Sequence, residues 1–188
     1  MNKKNLFMVS AFLIAGIMVR AQEKFYTKTG KIFFKCTKAS SPEKIEGTNK
    51  STTCVIDTKT GNIQFAVLMK GFEFDRALMQ EHFNENYVES DKFPKSEFKG
   101  QIVNNSEINY TKDGSYPAKV KGTLQIHGET KTVETIGTVS IKGGKPVINA
   151  SFQVLLSDYK ISIPSLVSDK ISNTVDITID GILDPLKG

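Results

Sequence analysis

The sequence predicts an all-β domain, either a sandwich or a barrel, on three observations. Apolar and polar residues alternate with a period of two over most of the chain, which is typical of strands with one buried face. Close turn signals separate these runs at residues 57–61, Asp113-Gly114, His127-Gly128 and Gly143-Gly144. Helical patterns do not alternate with the strands, so a parallel α/β sheet is not expected.

The chain begins with a segment typical of a secretory signal peptide. Lys3 and Lys4 form its positive start, and the apolar run over residues 6–19 is too short to span a bilayer well. We expect cleavage after Ala21, so residues 1–21 are the signal peptide and residues 22–188 form a single domain. The expected location is therefore periplasmic or secreted, without stable membrane insertion.

The charge of the chain is ordinary once this segment is removed. The full chain has a formal net charge of +5, and the loss of Lys3, Lys4 and Arg20 leaves +2. Such a balance is common for a soluble surface, so it gives no reason to expect nucleic-acid binding.

The strand pattern is clearest over residues 118–126, where Val120, Gly122, Leu124 and Ile126 share one face and polar residues share the other. The other predicted strands cover residues 32–36, 54–56, 63–69, 98–103, 108–111, 133–141, 148–154, 159–163 and 175–179. Residues 75–87 instead predict one short helix, capped by Asp75, with Met79, Phe83 and Tyr87 along one face. We expect this helix near one mouth if the domain is a barrel.

No pattern in the sequence indicates catalysis, so we do not expect an enzyme. His82 and His127 lack the spacing of metal ligands, and His127 is predicted to lie in a surface turn. Glu85, Glu89 and Asp91 favour a solvated acidic loop over a cation site. We therefore expect neither a metal nor a cofactor.

Two cysteines, Cys36 and Cys54, leave two alternatives open. Export would place them in an oxidising compartment, where a disulfide can persist. Buried free thiols are the other alternative, because such thiols pack as small hydrophobic side chains.

The inward face of the predicted strands is rich in large apolar residues. An eight-stranded barrel is of the size at which the interior either fills with side chains or holds one small ligand. Inward Gly122 and Ala150 would leave room, which favours a cavity for a hydrocarbon-like ligand. The predicted ligand-binding residues are Phe34, Cys36, Ile56, Phe65, Val67, Met69, Phe83, Leu124, Ile126, Phe152, Val154 and Ile177.

Two stretches of the chain resemble the YceI-like family. Residues 79–99, MQEHFNENYVESDKFPKSEFK, carry His82-Phe83, Ser90-Asp91, Phe93-Pro94 and Phe98, and residues 120–130, VKGTLQIHGET, carry a Gly-x-Leu-x-Ile-x-Gly pattern. This resemblance implies a lipocalin-like antiparallel β-barrel of about eight strands, exported in bacteria, whose tunnel holds a polyisoprenoid or quinone-type lipid. It implies no catalytic residue. The segment 84–87 and the cysteine pair depart from the common pattern, and inward cysteines would narrow the tunnel.

The expected function is therefore that of an exported protein that binds an apolar lipid inside a barrel. Two alternatives remain at this point. One is an envelope stress or surface-interaction barrel with no bound lipid, and the other is an enzyme that acts on a lipid in the tunnel through Cys36, Cys54 or nearby hydroxyls. A homodimer is also left open.

Overall fold

The structure is a computed structural model that describes residues 23–186, so the predicted signal peptide lies outside the described residues. Ten strands are present in this part of the chain. They are β1 (Lys24–Thr37), β2 (Glu46–Asp57), β3 (Asn62–Leu68), β4 (Phe72–Glu73), β5 (Lys95–Ile102), β6 (Gly114–Ile126), β7 (Glu129–Lys142), β8 (Lys145–Leu155), β9 (Ile171–Ile182) and β10 (Asp184–Pro185).

Eight of these strands form a closed antiparallel barrel, which confirms the barrel prediction. The neighbours around the barrel are β1, β9, β8, β7, β6, β5, β3 and β2, and pairing of β2 with β1 closes the circle. The two-residue strands β4 and β10 add to the edges of β2 and β1. Closure removes most of the free sheet edge, because each long strand has a neighbour on both sides along at least part of its length.

Two tight turns connect strands as the sequence predicts. His127 and Gly128 have φ values of 51° and 77°, and Gly143 and Gly144 have φ values of 57° and 76°. Positive φ at both central residues is the type I′ geometry that matches the twist of a hairpin. Asp113-Gly114 differs, because Gly114 already begins β6 and the Asp113 carboxylate accepts a hydrogen bond from the Gly143 amide at 3.0 Å.

The helical segment is shorter than predicted. Helix α1 spans Ala77–His82 and continues as a π-helical turn over Phe83–Tyr87. Arg76, not Asp75, occupies the N-cap position, and no side chain caps the helix there. The Asn84 side chain donates to the Gln80 carbonyl at 2.8 Å, and such a bond competes with the regular backbone pattern.

Two predicted strands are wrong. Residues 108–111 form a turn after a 3-10 segment, Asn105–Glu107, and the Asn109 side chain accepts the Thr111 amide at 3.0 Å. Tyr159 ends the 3-10 segment Leu156–Tyr159, and residues 160–163 follow it as an irregular loop. Ile108, Tyr159 and Ile161 are buried, so their apolar character reflects loops that cover the core.

Candidate functional site

The barrel interior is divided into a filled end and a hollow end. Buried side chains that pack against one another make up the filled end: Phe25, Cys54, Ile56, Ile63, Ile102, Ile108, Ala118, Val139, Ile141, Ile148 and Leu183. Five of them, Ile63, Ile102, Ala118, Val139 and Ile148, also form the floor of the cavity. A second cluster around Ile32, Met69, Phe72, Val154 and Val175 surrounds a cavity of about 420 Å³. Pockets that bind small molecules commonly have volumes of roughly 300–1,000 Å³ and apolar walls.

The inward residues predicted from strand parity meet at this cavity, with one exception. All except Ile56 line it, including Phe83 from the helical segment. Ile56 is wrong as a lining residue, since its side chain is fully buried in the filled end, where it packs with Cys54 and Phe25. Parity predicts the inward direction of a side chain, but not its height along the barrel.

Four phenylalanine rings form an aromatic wall at the helical end of the cavity. Phe34 of β1 stacks on Phe83 with ring centres 5.5 Å apart, and Phe72 lies 5.4 Å from both of these rings. Phe74 lies 5.0 Å from Phe83. The sequence analysis did not identify Phe72 and Phe74, although their spacing of two residues places them on one side of an extended segment. The helical segment contributes Phe83 to this wall.

Charged side chains line the cavity where it meets solvent. The Glu43 carboxylate pairs with the Arg76 guanidinium and accepts a hydrogen bond from the Lys170 ammonium at 3.1 Å. The bond to Lys170, together with the charges of Lys170 and Arg76, lowers the pKa of Glu43. This ionic group joins the β1–β2 loop, the residue before α1 and the segment before β9. It places fixed charges at the rim of a largely apolar space.

The structure answers the question of a disulfide between Cys36 and Cys54: both cysteines are free. Cys36 lies in the hollow end and lines the cavity, whereas Cys54 lies in the filled end. Cys54 pairs with Thr27, which lies nine residues before Cys36 on β1, so the two cysteines are roughly 30 Å apart at the rise of a strand. A disulfide needs Cα atoms within about 7 Å. Burial raises the pKa of Cys36 to about 12 and also raises the pKa of Cys54, so both are neutral thiols.

Gly122 does not provide the room that the sequence suggests. A Cβ atom at this position would lie 2.6 Å from the Phe98 ring, and one at Gly100 would meet the same ring at 2.6 Å. The two glycines therefore accept the Phe98 ring, which fills the space above them. Ala150 does line the cavity, as predicted.

His127 is wrong as a surface residue, because its side chain is only 11 % exposed. Its Nε2 lies 2.6 Å from a Glu89 carboxylate oxygen, and its Nδ1 lies 3.0 Å from the Tyr159 carbonyl oxygen. The Phe93 ring packs against it at 4.6 Å. His127 thus joins the β6–β7 turn to the loop after α1 and to the segment after β8.

The acidic segment predicted to be solvated is in part ion-paired. Glu89 contacts His127, and Asp91 pairs with Lys70 at 2.5 Å. Within residues 23–186, the side chains of His, Cys, Asp and Glu form no group of three or more that could hold a metal ion. In the same part of the chain, every helix falls short of the length and apolarity needed to cross a bilayer.

Comparisons with known proteins agree with this architecture. The family model of the YceI-like domain matches residues 24–182. A polyisoprenoid-binding domain from Saccharophagus degradans superposes with a TM-score of 0.75 at 12% identity, covering 88% of this chain and 99% of that chain. BcnA from Burkholderia cenocepacia superposes with a TM-score of 0.66 at 17% identity, covering 82% of this chain and 96% of BcnA. The YCEI protein of Campylobacter jejuni superposes with a TM-score of 0.53 at 17% identity, covering 77% of this chain and 88% of that protein. The chain matches none of the curated proteins.

Proposed function

Since the chain belongs to the YceI-like domain family, we propose that it is an exported binding protein that holds a long apolar molecule inside its barrel. The observation that carries this proposal is the cavity of about 420 Å³ between the aromatic wall and the filled end. The polyisoprenoid-binding domain of similar fold supports a polyisoprenoid or quinone-type lipid as the ligand.

The lining of the cavity explains how such a ligand would be held. Burial of a hydrocarbon chain is favourable by about 25 cal/mol per Å² of apolar surface, and directional polar contacts are not required. The neutral thiol of Cys36 adds no charge to this surface. Arg76, Glu43 and Lys170 lie at the rim, so a polar end of the ligand would remain beside them and near water.

We further propose a location in the periplasm or outside the cell, reached through the signal peptide. There a barrel that encloses an apolar chain would keep it dissolved in water and release it unchanged. A carrier of this kind needs no catalytic group. The absence of any catalytic pattern in the sequence supports this role over that of an enzyme on the bound lipid.

Native mass spectrometry of the mature protein, purified from its own envelope and followed by organic extraction, tests the proposal. We expect a reproducible excess mass that extracts as an isoprenoid-type lipid. A bare mass that stays unchanged after incubation with quinones and polyprenyl lipids would contradict lipid binding. That result would favour the barrel that acts only through its surface.

A matched pair of variants on β8 locates the ligand. Ala150→Phe places a ring into the cavity and should abolish or greatly reduce the bound mass, because its neighbours line the space the ligand needs. Ser151→Phe adds the same ring to the adjacent, exposed position and should retain the ligand. Circular dichroism checks that both variants fold. Equal retention by both would contradict binding in this cavity.

A further inference from the structure

The wall of the barrel is split between β7 and β8. Their register pairs run from Lys142–Lys145 at the hairpin to Thr138–Asn149, and they end there. Beyond this point, residues 129–137 of β7 pair with β6 alone, and residues 150–155 of β8 pair with β9 alone. By contrast, the β6–β7 ladder is continuous from Gly114–Ile141 to Ile126–Glu129.

One side chain bridges the start of this split. The Thr135 hydroxyl donates to the Ser151 carbonyl at 3.3 Å, where a backbone amide would donate in a regular ladder. Two residues closer to the β7–β8 hairpin the strands are still close, since a Cβ atom on Gly137 would lie 3.1 Å from the Ala150 Cβ atom. The two strands therefore separate progressively from Thr138 towards Glu129 on β7.

The far end of the split is closed by polar contacts. His127 Nδ1 donates to the Tyr159 carbonyl at 3.0 Å, and Lys160 forms an ion pair with Glu129 at 2.6 Å. These contacts tie the β6–β7 turn to the segment after β8. The result is a gap in the wall between β7 and β8, which we call the window. It is bounded by Thr135 at one end and by Glu129 at the other, and at the rise of a strand it is about 15–20 Å long.

The cavity reaches this window from the inside. Val133 and Thr135 on β7, and Phe152 and Val154 on β8, line the cavity beside the window. The last two residue pairs of the β7–β8 ladder, Val139–Ile148 and Thr138–Asn149, also line the cavity. The cavity therefore extends from the paired part of this wall to the unpaired part.

We propose that this window is the entrance through which the apolar chain of the ligand passes sideways into the barrel, an inference that rests on the proposed function. Parting β7 from β8 here breaks the Thr135 hydrogen bond and no ladder pair. A chain that entered at the helical end would instead pass the ion pairs of Glu43 with Arg76 and Lys170.

The outer surface of the window suits an apolar chain. Ile136 on β7 is 68% exposed and Leu155 on β8 is 41% exposed, so an aliphatic side chain stands on each strand outside the opening. Exposed aliphatic groups at the opening would lower the free energy of a hydrocarbon chain that is leaving water.

A removable clamp across the window tests this entrance. Glu134→Cys with Gln153→Cys places two thiols at exposed positions on opposite strands within the window, and a short bis-methanethiosulfonate reagent joins them until reductant removes it. Cys36 and Cys54 can stay in place because burial keeps both thiols neutral. Binding of all-trans-retinol, a fluorescent isoprenoid alcohol, is followed by stopped flow for rates and by titration for affinity.

We expect the clamp to slow association and dissociation together by at least about tenfold, with an unchanged dissociation constant, and reductant to restore both rates. The control clamp joins Ser115→Cys to Ser140→Cys on the continuous β6–β7 ladder, where the hydroxyls lie 3.1 Å apart, and should leave the rates unchanged. Equal rates with and without the window clamp would overturn the entrance alone. A failure of the unclamped protein to bind retinol, quinone or polyprenyl lipid would instead overturn the proposed function and the entrance with it.

A second variant tests the entrance without cross-linking. Thr135→Val keeps the shape of the side chain but removes its hydrogen bond to Ser151, so association and dissociation should both rise by about fivefold. Thr123→Val on β6, whose hydroxyl approaches the Lys99 carbonyl at 3.5 Å across a continuous ladder, is the control and should not change them. Unchanged rates in Thr135→Val would contradict the proposal.

Discussion

The two cysteines give the sharpest prediction at the scale of single residues. Burial raises the pKa of Cys36 to about 12 and also raises that of Cys54, so neither forms a reactive thiolate near neutral pH. We expect no reaction with Ellman's reagent in the native protein at pH 8, and two thiols per chain after unfolding in guanidinium chloride. Detection of an intramolecular disulfide in the mature protein would contradict the structure.

Two buried serines differ in a way that stability can detect. Ser96 is 8% exposed and donates to the Gln125 carbonyl at 2.6 Å, whereas Ser90 is 1% exposed and its hydroxyl has no hydrogen-bond partner among the described residues. Ser96→Ala should lower the free energy of unfolding by about 1–2 kcal/mol, while Ser90→Ala should be neutral or stabilising. Urea unfolding of both variants measures this difference, and a larger loss for Ser90→Ala would contradict the assigned partners.

Glu43 makes the ionic group at the rim sensitive to acid. Its pKa in the folded protein lies below the ordinary value of 4.5, so its stabilising contribution is present above pH 4.5 and is lost as pH falls through the lowered pKa. Titration of the Glu43 carboxyl followed by NMR should show a midpoint below 4.5. Lys170→Ala should move the midpoint upward, whereas Lys44→Ala on the neighbouring residue should leave it in place.

At the scale of elements, periodicity predicted at least part of each long strand, although only residues 32–36 of β1 and 54–56 of β2, and it failed where short apolar segments are loops. The alternation from Val120 to Ile126 identifies β6, because one face of this strand packs inward along its whole length. Ile108 and Tyr159 also suggested strands, but they anchor turns onto the core. His127 was correctly placed in a turn, while its burial depends on Glu89, which is 38 residues away in the sequence. Local patterns cannot reveal such long-range partners.

Strand β6 allows a direct test of which face is inward. Leu124 is 8% exposed and lines the cavity, while the adjacent Thr123 is exposed on the outer face. Leu124→Asp should destabilise the protein by at least about 3 kcal/mol, because it buries a carboxylate without a partner. Thr123→Asp lies opposite Lys99 and should change stability by less than about 0.5 kcal/mol. Similar losses in urea unfolding would mean that the inward face is wrongly assigned.

At the scale of the whole molecule, stability and binding are located at opposite ends of one barrel. The filled end packs apolar side chains against one another, whereas the hollow end leaves part of its apolar surface facing empty space. Strand parity indicated an apolar interior without showing where it would be hollow. That depends on Phe98 lying over Gly100 and Gly122, and on Phe83 reaching the interior from a π-helical turn.

Two isoleucines, one at each end, test this division with the same chemical change. Ile56 is fully buried in the filled end, so Ile56→Ala should cost about 3–4 kcal/mol of stability and leave retinol affinity unchanged. Ile177 lines the cavity and already borders open space, so Ile177→Ala should cost less, about 1–2 kcal/mol, but weaken binding. Urea unfolding and fluorescence titration measure both quantities. If Ile56→Ala weakened binding as much as Ile177→Ala, the filled end would be part of the binding site, and the ligand would extend through the full length of the barrel.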